Sequence, residues 1–320
     1  MNTRLIWDRF GLLISPFRKQ IVRIYVYAVF SGLVYLALPL GIQVIITYLQ
    51  TGAFTYSWII LALLVLVAII FSGILTIYQM RVSENIEQEL FVNNSFDFHT
   101  LLGDLTGKQL PGVDLKEKMN RFFDVVLLQK KISKLLLDIP AATVQIVFGI
   151  TLLCFYHPIF LFVIFILLLL SYLVYKISWR IGLKTSLEES DWKYKVADHL
   201  EKKASSAAEL TSIEPSKKEF DGLVYNYLNR RESHFKTLVF QFSWMIGMKV
   251  IVAAILLFLG GWLVISNTLN IGQFVAAEVV ILLMLNSIEK LIINMESIYD
   301  VLTSNEKIQA VFQLRETLNK

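Results

Sequence analysis

The sequence predicts an all-α membrane protein with six transmembrane helices and long helical extensions on one side. Three observations carry this. Of the 320 residues, 56% are hydrophobic and only 18% are charged, against about 25% charged in ordinary globular chains. Residues 24–80 and 139–175 hold no Asp, Glu, Lys or Arg, and residues 250–288 hold only Glu278. The remaining charges gather in the segments between. So apolar a chain is not disordered. The single cysteine, Cys154, excludes an internal disulfide framework and a cysteine-rich metal site.

Residues 1–23 read as an amphipathic lead-in. Ile6, Trp7, Phe10, Leu13, Ile14 and Phe17 alternate with Arg4, Asp8, Arg9 and Arg18 at helical spacing, the pattern of a helix lying on a membrane surface. A basic lead-in with scattered apolar residues is the alternative. The apolar stretch that follows exceeds the 7–15 residues of a signal-peptide core, so no cleavable signal is expected. Residues 24–300 are the membrane domain. A spanning helix needs about 20 apolar residues, so residues 24–80 make two helices with a turn at Gln50-Thr51-Gly52-Ala53. Residues 139–175 make two more about Tyr156-His157-Pro158, where proline marks a stop. The third hairpin turns at Ser266-Asn267-Thr268-Leu269-Asn270 and resumes at Ile271. Residues 301–320 are expected to form a short terminal helix.

Lys and Arg number 5 in residues 1–23, 8 in 80–134, 13 in 176–249 and 4 in 290–320, which accounts for all 30, and the hairpin turns have none. The positive-inside rule then places both termini and both long connections in the cytoplasm. Each connection continues a span outward and returns. Ile86, Leu90, Phe98 and Leu101 extend the second span, and Leu115, Met119, Phe122 and Val126 lead to the third. Gly103-Asp104-Leu105-Thr106-Gly107-Lys108 opens the breaker-rich elbow between them. In the second connection, residues 179–200 leave the fourth span and 220–240 return. The elbow there is Glu209-Leu210-Thr211-Ser212-Ile213-Glu214, ahead of Pro215.

This plan resembles the transmembrane domain of ATP-binding-cassette (ABC) exporters over most of the chain. Leu36–Ile46, with Pro39 and Gln43, resembles the first-span signature of the type I secretion branch. Asn120-Arg121-Phe122-Phe123-Asp124-Val125 is similar to the segment re-entering the third span, and Asn267–Ala276 to the turn opening the sixth. The resemblance implies the type-1 exporter fold in a bacterial inner membrane and alternating access in a homodimer. It also implies coupling helices at the two elbows that dock on ATPase domains, and a periplasmic adaptor as a further partner. It does not identify the cargo, which could be peptide, protein, lipid or drug.

An ATPase needs G-x-x-x-x-G-K-[ST]. Gly103-Asp104-Leu105-Thr106-Gly107-Lys108-Gln109 imitates it with one residue too few between the glycines and Gln109 at the hydroxyl position. The expectation is that this chain binds no cofactor, is no enzyme by itself, and relies on ATP bound by a separate ATPase subunit. His99, His157, His199 and His234 lack ligand partners at helical spacing. Cys154, in an apolar helix, reads as a packing residue. Acidic residues interleave with the basic ones, which disfavours nucleic acid, while the basic segments suit anionic lipid head groups of the bilayer.

A carboxylate deep in a span is costly and therefore informative. Glu278 lies seven residues past Ile271, about 10 Å deep at helical rise. It is a candidate for the substrate cavity between protomers, or else a protonated or hydrogen-bonded helix contact. Lys249 and Glu289 lie 17 and 18 residues from the ends of their spans at Ser266 and Ile271. Equal depth predicts an interhelical ion pair, with Lys290 as a competing snorkelling residue. The alternative to a transporter is a membrane scaffold that retains the exporter frame and organises an adaptor complex. An enzyme acting on lipid fits poorly, since no acid–base or nucleophile constellation is present.

Overall fold

The structure, a computed structural model, describes residues 3–52, 56–106, 119–205 and 214–318. Their regular structure is helical throughout: α1 Thr3–Ile14, α2 Arg18–Tyr35, α3 Ala37–Thr51, α4 Ser57–Thr106, α5 Phe122–Tyr156, α6 Ile159–Ser205, α7 Glu214–Ile255, α8 Gly261–Ile265 and α9 Ile271–Leu318. Among the described residues, six helical segments are long and apolar enough to cross a membrane, and none of these residues is in a strand. The chain is a multi-pass membrane protein by this measure. We call the end carrying the three turns the hairpin end and the opposite, charged end the stem.

Local chemistry sets each break. Pro39 has no N–H to give, and its ring crowds the carbonyl of Tyr35. The helix therefore stops at Tyr35 and restarts at Ala37, with the Leu36 N–H bonded to the Leu33 carbonyl at 3.3 Å. Gly52 closes α3 in the left-handed region at φ 64°, which a glycine adopts without steric cost. His157, ahead of Pro158, is extended at φ −162° and ψ 138°, as the proline ring demands of its predecessor. At the third turn Asn267 takes φ 57°. Asn270 and Gln273 then cap α9 reciprocally: the Gln273 N–H donates to Asn270 Oδ1 at 2.7 Å, and the Asn270 N–H donates to Gln273 Oε1 at 3.1 Å. A π-helical turn, Leu256–Gly260, offsets α8 from α7.

Helix α9 is the central element. It packs along α5 for most of its length and also meets α3, α6, α7 and α1, while α6 pairs with α7 and α2 with α4. One core lies toward the hairpin end, where Leu153, Phe160, Val252, Ala277 and Val280 are fully buried. A second runs down the stem through Ile24, Ile86, Leu128 and Ile308. Helices α4 and α6 have 50 and 47 residues, about 70–75 Å at helical rise, so each reaches far beyond a 30 Å hydrocarbon core as one rigid rod. Most of the apolar surface of α4 stays uncovered, including Ile60, Leu64, Val67 and Ile70.

Two boundaries and the setting of α1 differ from the sequence reading. The lead-in divides at the short 3₁₀ turn Ser15–Phe17, which contains Pro16, and α2 begins at Arg18. Residues 301–318 are the last turns of α9, because no glycine or proline after Gly272 interrupts it. Helix α1 is held by protein as well as by an outer apolar face. Ile6 is buried against Leu183, Met295 and Tyr299. Trp7 stacks on Trp179 with ring centroids 5.4 Å apart, and Arg9 pairs with Glu306 at 2.6 Å.

Candidate functional site

Where α2, α4, α5 and α9 meet, small and polar side chains gather among hydrocarbon ones such as Leu137 and Met80. Ser31 and Tyr35 come from α2, Ser72, Thr76 and Gln79 from α4, Asp138 and Gln145 from α5, and Lys290 from α9. They line a cleft of about 280 Å³. On each of the first three helices the lining positions recur three or four residues apart, so each presents a single face. Ser31 and Ser72 share a hydrogen bond at 2.7 Å. Ser287 donates to Gln145 Oε1 at 2.6 Å, and Asn294 Nδ2 donates to Asp138 Oδ2 at 3.0 Å. Gln79 is only 4% exposed and makes no hydrogen bond among the described residues. Asp138 and Lys290 make no ion pair there, with each other or with any described residue.

The cleft sits at one depth. Asp138 is 18 residues from the hairpin end of α5 at Tyr156, and Lys290 is 19 residues from the start of α9 at Ile271. At helical rise both lie about 27–29 Å from the hairpin end, near the stem-side edge of a hydrocarbon core. Other cavities are built differently. One of about 250 Å³ between α1, α2, α5 and α9 is lined by Trp7, Phe10, Leu135, Pro140, Val301 and similar apolar residues. Another, of about 390 Å³ between α7 and α9, is mostly apolar but includes Gln241 and Glu296.

The structure brings Lys249 and Glu289 together: Lys249 Nζ donates to Glu289 Oε2 and ties α7 to α9. Glu278 is half-buried on α9, without a hydrogen bond or ion pair among the described residues, and it lies outside the polar cleft. At about 100° per residue Glu278 shares the Glu289 flank of α9, whereas Lys290 is about 120° around. Glu278 and Lys290 thus border opposite sides of the exposed stripe that carries Leu282, Asn286 and Ile293. Gly103 and Asp104 occupy the last turn of α4, with the backbone of Leu105 and Thr106 completing it. Glu214 begins α7 just ahead of Pro215, a position that suits proline's missing donor. The other elbow residues, Gly107, Lys108, Glu209, Leu210, Thr211, Ser212 and Ile213, lie outside the described residues. Cys154, expected to pack inside, is exposed on α5, because its neighbours Leu152 and Leu153 take the buried face.

Sequence reasoning missed Gln79, Asp138 and Gln145 as a group. The available signal was the set Ser31-Gly32-Tyr35, Ser72-Thr76-Gln79 and Asp138-Ala141-Gln145, small and polar residues at helical spacing inside or bordering apolar spans.

In the stem, polar ties join the helices. Lys131 pairs with Asp300 at 2.8 Å, Ser83 bonds to Ser133 at 2.9 Å, and Ser186 to Thr303 at 3.0 Å. Asp124, 2% exposed, accepts a hydrogen bond from Tyr194 and faces Lys193 at 3.7 Å, with the Arg121 guanidinium over the Tyr194 ring. Burial raises its carboxyl above the ordinary range, and the nearby cations offset part of that rise. His234, 1% exposed, bonds Thr185 through Nδ1 at 2.9 Å, and burial lowers its pKa despite the carboxylates of Glu189, Asp300 and Glu296.

No protein family matches this chain, and no curated protein is similar to it.

Proposed function

We propose that this chain is the membrane-spanning subunit of an ATP-driven exporter of the ABC type. In this reading it works as a homodimer in a bacterial inner membrane, with both termini and the stem in the cytoplasm. A separate ABC ATPase subunit binds and hydrolyses ATP and docks at the stem ends. A periplasmic adaptor receives the cargo beyond the hairpin end.

The observation that carries the reading is mechanical. Helices α4 and α6 each pass without a break from the membrane-length portion to the far end of the stem, so a displacement at the stem ends is transmitted as a rigid-body tilt of the spans. Supporting it, α2, α4, α5 and α9 all contribute to the polar cleft, so a tilt of α4 against its neighbours would change the width of the cleft, and α4 leaves a broad apolar surface for lipid or a second copy. Glu278, on the opposite flank of α9 from the cleft, is the residue proposed to face the dimer cavity.

Affinity purification from the native membrane, followed by mass spectrometry, tests the reading. An ABC ATPase recovered at one copy per membrane subunit is the expected result. Recovery of an adaptor without any ATPase would replace the exporter with a scaffold.

A further inference from the structure

We propose that the polar cleft at Asp138 and Lys290 binds the head group of a zwitterionic aminophospholipid from the stem-side leaflet. The proposal rests on the membrane-spanning reading of the helices and not on ATP coupling.

The chemistry of the cleft is two-signed. A carboxylate on α5 and an ammonium on α9 open into the same space without pairing with each other. Asp138 takes one hydrogen bond, from Asn294, and a carboxylate has room for several more. Lys290 has three N–H donors and no carboxylate partner among the described residues. Asp138 is half-buried and Lys290 is exposed, and a ligand bearing both signs a few ångströms apart gives each group a counter-charge at once. Gln79, nearly fully buried and unpartnered among the described residues, adds an amide that can donate and accept.

Depth and size narrow the ligand class. The charged groups stand at the stem-side edge of the hydrocarbon core, where phospholipid head groups begin. The volume of about 280 Å³ falls below the 300–1,000 Å³ typical of drug-sized ligand sites, and suits a head group whose chains stay outside. The rim provides for those chains: Met80 and Tyr35 are exposed beside the cleft, and Ile77 and Leu33 continue the apolar surface along α4 and α2. In this arrangement the ligand ammonium donates to Asp138, and its phosphate accepts from Lys290 and from Gln79. A primary ammonium keeps the N–H donors that Asp138 requires, which a quaternary choline lacks.

The test uses the full chain, purified in mild detergent without nucleotide or ATPase. It receives an equimolar mixture of phosphatidylethanolamine, phosphatidylcholine and phosphatidylglycerol with identical acyl chains, and native mass spectrometry reads the bound lipid. Phosphatidylethanolamine is expected to be preferred about tenfold, the size of one charge-assisted hydrogen bond. Asp138→Asn and Lys290→Gln should each abolish that preference, and Lys236→Gln on the exposed stem should leave it intact. The ranking of the three lipids on the unsubstituted chain is a test that no folding defect can blur. Equal binding of all three overturns the proposal, as does a preference that survives both substitutions. A preference for phosphatidylglycerol would reduce the cleft to nonspecific attraction by Lys290. Displacement of bound phosphatidylethanolamine by triglycine would assign the cleft to a peptide instead. Because no ATPase takes part, failure here leaves the exporter reading standing, and failure of the copurification leaves this one standing.

Discussion

Lys249 on α7 and Glu289 on α9 form an ion pair across two antiparallel helices, one residue nearer the hairpin end than Lys290 of the polar cleft. The neighbouring positions 289 and 290 thus serve opposite flanks of one helix: Glu289 is neutralised by its partner, and Lys290 is left for the cleft. The side chains of the pair are 36% and 22% exposed, so its strength is discounted for screening, but the loss of one partner strands the other near apolar surface.

Lys249→Met or Glu289→Met alone should lower stability by about 1–3 kcal/mol, while the double substitution recovers most of the loss. A double-mutant cycle on thermal unfolding in detergent measures this. Additive effects would mean the two charges do not stabilise each other.

Gly182 on α6 lies against Tyr299 on α9. A Cβ there would stand 2.4 Å from the tyrosine ring. Tyr299 cannot yield easily, since it is fully buried and its hydroxyl is bound by Gln241 at 3.2 Å and Ser178 at 3.3 Å. Gly182→Ala should therefore cost about 1–3 kcal/mol by overpacking, whereas Gly222→Ala, with open space around it, should not. Comparing their unfolding midpoints checks the contact.

His234 carries a pH dependence. Its folded pKa lies below the ordinary 6.5 because burial disfavours the charged ring, so the unfolded chain binds more protons near that value. Stability at this site is present above pH 6.5 and is lost as pH falls through that value toward the folded pKa. Unfolding midpoints should drop on going from pH 7.5 to 5.5, and His234→Gln should flatten that drop.

Asp124 has the opposite sign. Its folded pKa is raised by burial, so its favourable contribution is present below the ordinary 3.8 and is lost as pH rises through the folded value. At neutral pH Asp124→Asn should leave stability unchanged or raise it, since the amide still accepts from Tyr194 without a buried charge. A loss above about 3 kcal/mol would show instead that pairing with Lys193 and Arg121 dominates.

Glu278→Gln should reduce transport by the reconstituted complex, with assembly unchanged, if Glu278 faces the cavity of the proposed dimer. Unchanged transport would make it a packing residue of α9.

The sequence by itself determined what is local. The turns at Gly52, His157 and Asn267–Asn270 follow from residues that forbid or cap a helix within a few positions. The membrane-length helices follow from charge exclusion. The matched depths of Lys249 and Glu289 were legible because a helix rises by a constant step, so counting from a turn gives depth. Pro39 was visible, yet the break it makes at Leu36 depended on the Tyr35 carbonyl losing its donor.

Only the tertiary structure decided what depends on how helices are rotated and paired. Asp138, Gln79 and Lys290 stand on three helices more than fifty residues apart in sequence. Nothing in the spacing along any one helix says which face meets which. The same physics separated Glu278 from the cleft: twelve residues along α9 is three turns and a third, and that third of a turn puts Glu278 and Lys290 on different flanks.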